Sequence, residues 1–169
     1  MRTTDCWRFF PFERQETWTA EKIRTVIEEY KADRRLSEEY AAAINVYKIR
    51  AFLQTPLAAR MAKAARSNRL HREQPFVLGV DSGEIYPDTE CRAQLLVQGI
   101  IDAYFIEDDE IVLVDYKTDK VSPGGEQDLI DLYHIQLEDY AAALERMLQK
   151  KVKETYIYSF TLRKMIPLS

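Results

Sequence analysis

The run Ile111-Val112-Leu113-Val114 constrains this chain more than any other stretch. Four consecutive apolar residues offer water no polar alternate. A strand made from them is buried on both faces, which requires covering layers on both sides of a sheet. Yet the strand runs directly into Asp115 and Lys117, and the strand-like segment upstream, "GIIDAYF", carries Asp102. Charge on the driest part of a sheet is costly unless it is paired or put to use.

The connection Glu107-Asp108-Asp109 is too short for a crossover, so the two strands are expected to be antiparallel neighbours. A turn centred on Asp108-Asp109 sets Glu107 opposite Glu110, and counting back sets Asp102 opposite Asp115. Directly opposed residues have Cβ atoms roughly 4.5–5.5 Å apart. Side chains alternate along a strand, so Asp115 and Lys117 share a face. Two carboxylates this close repel and lose hydration, and one is driven toward protonation unless a cation joins them. A hard divalent ion, Mg²⁺ or Mn²⁺, resolves the conflict. Lys117 adds a compact positive charge that can orient a water or offset charge on a phosphoryl group. Together the set suits phosphodiester hydrolysis. The blander alternative is an Asp115–Lys117 ion pair with Asp102 at a strand end; the apolar run leading into the pair favours a site.

Around this centre, residues 1–18 form an aromatic N-terminal segment with Trp7, Phe9, Phe10, Phe12 and Trp18, expected to pack on the body as a flap. One domain is expected over 19–169, with a helical part over 19–68 and a sheet core over 70–162. The helical period begins after Thr19, a fair N-cap. "LSEEYAAAINVYKIRAFLQ" reads as one helix capped by Ser37, and Pro56 suits the first turn of the next. Residues 70–80, 92–106, 110–118 and 153–162 read as strands. "SGEIYPD" joins the first two as a hairpin, and 127–149 reads as a long amphipathic helix that crosses over to a parallel last strand.

Hydrophobic residues make up 46% and charged residues 31% of the 169, a globular rather than a disordered composition. The net charge of -4 argues against a broadly basic nucleic-acid binder, so any such role rests on local charge. Arg60, Lys63, Arg66, Arg69 and Arg72 supply a local basic run able to neutralise phosphates, although a solvated helix face explains each residue alone. Cys6 and Cys91 match no zinc or disulfide framework, which fits a reducing cytoplasmic setting. No apolar stretch approaches a membrane span, and no signal-peptide apolar run is present. No GxxxxGK[ST] loop occurs, so ATP hydrolysis by that route is excluded.

At this point "GIID" followed by "VDYK" resembles the PD-(D/E)XK nuclease superfamily, in its RecB-like branch. The long helix adds that branch's Q-x-x-x-Y motif as Gln136 and Tyr140, which lie on one helix face. "HREQPF", "VQGIIDAYF", "IVLVDYKTDKV", "YHIQLEDYAAAL" and "YIYSF" are together similar to the C-terminal nuclease domain of the AddA family of helicase/nuclease proteins. The resemblance implies a restriction-endonuclease-like α/β core of order α-β-β-β-α-β, a central mixed sheet flanked by helices, with extra N-terminal helices. It implies Asp102, Asp115 and the backbone carbonyl of Tyr116 as ligands of Mg²⁺ or Mn²⁺. Lys117 becomes the catalytic lysine, and Gln136 and Tyr140 contact DNA or support the site. Glu73 is placed near the metal or in a strand salt bridge, while His71 and His134 are read as ordinary strand and helix residues. Tyr104 or Tyr140 is a candidate platform for base stacking. The implied partners are single-stranded DNA, helicase domains and an AddB-like partner protein, and the implied setting is double-strand break repair and recombination. The branch's upstream Gly-x-x-His motif has no clear counterpart; Arg2 and Cys6 would fall at its Gly and His. A catalytically silent docking domain is the alternative. A Cas4-like or AddB-like iron–sulfur nuclease is set aside because it needs four cysteines and two are present.

Overall fold

A computed structural model describes residues 10–14, 17–81, 83 and 93–168. Arg2, Cys6, Trp7, Phe9, Cys91 and most of the "SGEIYPD" connection lie outside the described residues.

Among the described residues four helices come first: α1 (Ala20–Ala32), α2 (Glu38–Ala43), α3 (Val46–Leu53) and α4 (Pro56–Arg66). Each begins where a short polar side chain accepts an otherwise orphaned backbone N–H. Thr19 accepts from Lys22, Ser37 from Tyr40, Asn45 from Tyr47 and Lys48, and Thr55 from Ala58. The helix expected from Ser37 to Gln54 is in fact two. Ile44 adopts an extended conformation (φ -73°, ψ 122°), and the Asn45 side chain starts α3 anew. Asparagine's preference for capping outweighs the continuous apolar period there.

Among the described residues the sheet has five strands in the order β1 (Leu70–Asp81), β2 (Gln94–Glu107), β3 (Glu110–Lys117), β4 (Val152–Ser159) and β5 (Lys164–Pro167). The helix α5 (Glu126–Leu148) connects β3 to β4. β3 and β4 are parallel, and the other neighbours are antiparallel. The α-β-β-β-α-β order is therefore present, with β5 added. The last strand does not extend to residue 162 as its pattern predicts. The chain turns after Ser159, with Arg163 at φ 55°, and returns as β5.

The β2–β3 turn fixes the register. Asp108 and Asp109 both sit in the left-handed region, at φ 52° and 67°, which short acidic side chains tolerate. Glu107 consequently pairs with Glu110, and the ladder runs to Ala103 and Val114.

Two apolar layers cover the sheet, as the Ile111–Val114 run requires; all four residues are fully buried. Ile23, Ile49, Phe52 and Met61 of the N-terminal helices pack on Ala103, Phe105, Val112 and Val114. Leu129, Leu137, Ala143 and Leu144 of α5 pack on the opposite face, over Ile111, Leu113 and Ile157. Each of the larger side chains, from valine upward, contributes roughly 1.5–3 kcal/mol on burial. Phe10 and Phe12 are buried in the first layer, and the Arg72 guanidinium donates to the Phe10 carbonyl at 2.6 Å. The described end of the aromatic segment is thus a covering flap. Among the described residues no helix is long and apolar enough to cross a membrane.

Candidate active site

The β2–β3 ladder ends one step before the acids. Continued by one residue, its register sets Asp102 against Asp115. There the Asp102 side chain takes up a backbone donor, and its Oδ2 accepts the Tyr116 N–H at 2.9 Å. The β1–β2 ladder is interrupted at the same level. Arg72 pairs with Ala103 and Gln74 with Ile101, which skips Glu73 and Asp102, and Glu73 has φ 47°. Ile101 and Tyr104 both belong to the α5-side core, whereas strict alternation would put them on opposite faces. The β1–β2 register is the same on both sides of the skipped pair, so no residue is inserted, and the irregularity is local to Glu73 and Asp102.

Asp115 and Lys117 follow Ile111 and Leu113 on the α5 side, at 2% and 5% exposure. Lys117 Nζ lies 2.8 Å from Asp115 Oδ2 and donates to Gln136 Oε1 at 3.1 Å. Gln136 Nε2 in turn donates to the Tyr140 hydroxyl at 2.8 Å. The amide can face only one way, because an ammonium has nothing but donors and needs the carbonyl oxygen. Tyr140 is seated edge-on to Phe76, with ring centroids 5.5 Å apart, over Gly99. A Cβ on residue 99 would meet Phe76 at 2.8 Å and Tyr140 at 3.3 Å, so the glycine ahead of Asp102 makes room for this tyrosine.

The structure thus brings Asp102, Asp115, Tyr116, Lys117, Gln136 and Tyr140 to one end of the β2–β3–α5 layer. Glu73 lies across β2 at the level of Asp102. The basic run is not brought there. Arg60 is engaged at the start of β3, where it donates to Glu107 (2.7 and 3.2 Å) and Glu154 (2.6 and 3.0 Å). Lys63, Arg66 and Arg69 are exposed at and beyond the end of α4, and Arg72 lies over Phe12 on the far face of the sheet. The stripe fails because α4 stops at Arg66, which leaves the last two arginines on other structure. Tyr104 is 2% exposed and stacked on His71, which removes it as a base platform. Burial raises the Tyr104 pKa and lowers that of His71. His134 turns its Nδ1 to the Ile130 and Asp131 carbonyls of its own helix.

Sequence reasoning alone assigns no role to one residue of the cluster, Tyr133. Its ring lies under Lys117, with Nζ 3.8 Å from the centroid, and its hydroxyl donates to Asp119 at 3.0 Å. Its position three residues before Gln136, on the same helix face, is the available signal.

The donors that could hold a metal are oxygens: the two carboxylates and the backbone carbonyls of β3. That chemistry fits Mg²⁺ or Mn²⁺, which retain waters and are content with one or two carboxylates, and does not suit a soft metal. Among the described residues no three His, Cys, Asp or Glu side chains converge as a ready cage. The fit therefore rests on the oxygen chemistry of the acidic pair, in which the buried Asp115 is already met by the Lys117 ammonium at 2.8 Å.

Comparison with known proteins gives a family and a set of relatives. Residues 4–164 match the profile of the PD-(D/E)XK nuclease superfamily. The A subunit of the ATP-dependent helicase/nuclease of Acetivibrio thermocellus is 44% identical over 144 residues, covering 83% of this chain and 11% of that protein. The protein of the same name from Thermoanaerobacter sp. is 44% identical over 128 residues, 74% of this chain and 10% of that protein. That of Syntrophomonas wolfei is 41% identical over 131 residues, 78% of this chain and 10% of that protein. The chain spans about a tenth of the length of these relatives.

Proposed function

The chain belongs to the PD-(D/E)XK nuclease superfamily, and on that footing we propose that it is the metal-dependent deoxyribonuclease domain of an AddA-type helicase/nuclease. In this reading it hydrolyses phosphodiesters of single-stranded DNA, as an exonuclease, on strands delivered by helicase domains. An AddB-like protein is the partner, and double-strand break repair and recombination in the cytoplasm are the setting. The observation that carries the reading is the polar chain from the buried Asp115 and Lys117 to the half-buried Gln136 and Tyr140, beside Asp102 at a break in the sheet.

Asp102, Asp115 and the backbone carbonyl of Tyr116 are the groups that would hold Mg²⁺ or Mn²⁺. When bound, such an ion supplies Lewis-acid stabilisation of the negative charge that grows on the phosphoryl oxygens. The remaining work falls to side chains. Lys117 donates an N–H to the attacking water or to a non-bridging phosphoryl oxygen, fixing the approach of one or offsetting the charge of the other. Gln136 holds the ammonium from the helix side, and Tyr140 holds the amide in the orientation that accepts from it. The Asp102 carboxylate is fixed in turn by the Tyr116 N–H. The acids read no base edge, so little sequence preference is expected.

The test is cleavage of a labelled single-stranded oligonucleotide by chelator-stripped protein as Mg²⁺ or Mn²⁺ is added back. Cleavage should return at up to millimolar metal and be lost in a folded Asp102→Asn variant. If neither metal supports cleavage, or if the variant cuts like the wild type, the chain is a silent docking domain instead.

A further inference from the structure

We infer that Tyr133 is a positioning residue for Lys117, holding the ammonium in its working direction. This role rests on the nuclease reading of the same site and adds a member to it.

An ammonium has three N–H groups and no acceptor. Lys117 is 5% exposed, so water cannot satisfy what the protein leaves over. One direction is taken by Asp115 Oδ2 at 2.8 Å and a second by Gln136 Oε1 at 3.1 Å. The third is met by the face of Tyr133, whose centroid is 3.8 Å from Nζ. At that distance the negative face of the ring attracts the cation, and more strongly where water is excluded. The flexible four-carbon stem of lysine makes such a platform useful, because nothing in the side chain fixes its direction. With the other two directions held, the N–H now held by Asp115 is the one Lys117 would turn to the water or phosphoryl oxygen once that carboxylate holds a metal.

The ring is itself held at two points. Its backbone belongs to α5, and its hydroxyl donates to Asp119, two residues beyond Lys117, at 3.0 Å. Tyr133 therefore ties the segment leaving β3 to the helix that carries Gln136 and Tyr140. The three helix residues, at i, i+3 and i+7, form one stripe over the lysine. A tyrosine that merely filled space would need neither the centred ammonium nor the bond to Asp119.

The experiment compares wild type, Tyr133→Phe and Tyr133→Leu. The first readout is metal-free: the Lys117 methylene resonances next to Nζ, observed by NMR in ¹³C-lysine-labelled protein. The ring should shift them upfield in wild type and Tyr133→Phe, and the shift should vanish in Tyr133→Leu. The second readout is steady-state cleavage. Tyr133→Leu should lower kcat about tenfold with KM little changed, and Tyr133→Phe should restore most of it because the ring face is kept. Lys117 resonances identical in wild type and Tyr133→Leu would overturn the inference. So would an undiminished kcat in Tyr133→Leu, or an equal fall in both variants. Asp115→Asn, run in parallel, separates the two claims. If it cleaves like wild type, the nuclease reading falls, while the resonances still decide whether the ring holds the ammonium.

Discussion

At the start of β3, Arg60 of α4 grips Glu107 and Glu154, and Lys153 adds a second contact to Glu107 at 3.0 Å. At the end of the same strand, Lys117 meets Asp115 beneath α5. Both clusters combine acids with a cation, yet they are built differently. The guanidinium bonds all four oxygens of its two carboxylates, so the charges saturate one another. Its side chain is 27% exposed and those of its partners 23% and 29%, and the result is a bridge that fastens α4 to β2 and β4. At the other end the side chains are 6% and 3% exposed, and a lysine, which has no fork, makes single contacts to Asp115, an amide and a ring. Paired charge alone does not mark a site. Burial at a break in the sheet, beside a polar chain supplied by a second element, does.

Two substitutions and a change of pH would break or sharpen this contrast. The largest effect belongs to Asp115→Asn, which should reduce metal-dependent cleavage by about 10²–10³-fold, the scale for losing a principal electrostatic group. Arg60→Met should leave the cleavage rate within about twofold and instead lower stability by roughly 2–4 kcal/mol, read as a fall in the urea midpoint, because two carboxylates lose their shared partner. A loss of cleavage in Arg60→Met as deep as in Asp115→Asn would erase the distinction between the two ends.

The smallest effect is in pH. Hydrogen bonds from Arg60, chiefly, hold the Glu107 carboxyl down at about 2, against an ordinary 4.5. Arg60 lowers Glu154 as well. A depressed carboxylate stabilises the fold fully above its unfolded pKa and loses that contribution as pH falls through the folded value. Stability should therefore decline between pH 4.5 and about 2, and Arg60→Met should flatten that part of the curve. An unchanged acid limb would show that the bridge does not exist in solution.

What is legible in the sequence follows the range of the forces. The Asp108-Asp109 turn is local, so it can be placed from the residue types, and with it the register as far as Ala103 opposite Val114, one step short of the acids. The two-layer burial of Ile111–Val114 is equally plain from composition. The α2–α3 break is hidden because the apolar period continues through Ile44-Asn45 and only the Asn45 cap interrupts it. β5, four residues long, carries too little pattern to be seen. Arg60 reads as part of a phosphate-binding stripe because its partners lie 47 and 94 residues away, and no local spacing reports them. Tyr133 is visible as a residue, but its role depends on a strand and a helix meeting.

The central claim is that Asp102 and Asp115 share a divalent ion, and a Mn²⁺ soak of crystals of this chain tests it most directly. The account predicts anomalous density between those two carboxylates and none at Glu107 and Glu154. Density confined to the arginine bridge, or absent from between Asp102 and Asp115 at millimolar Mn²⁺, would contradict it.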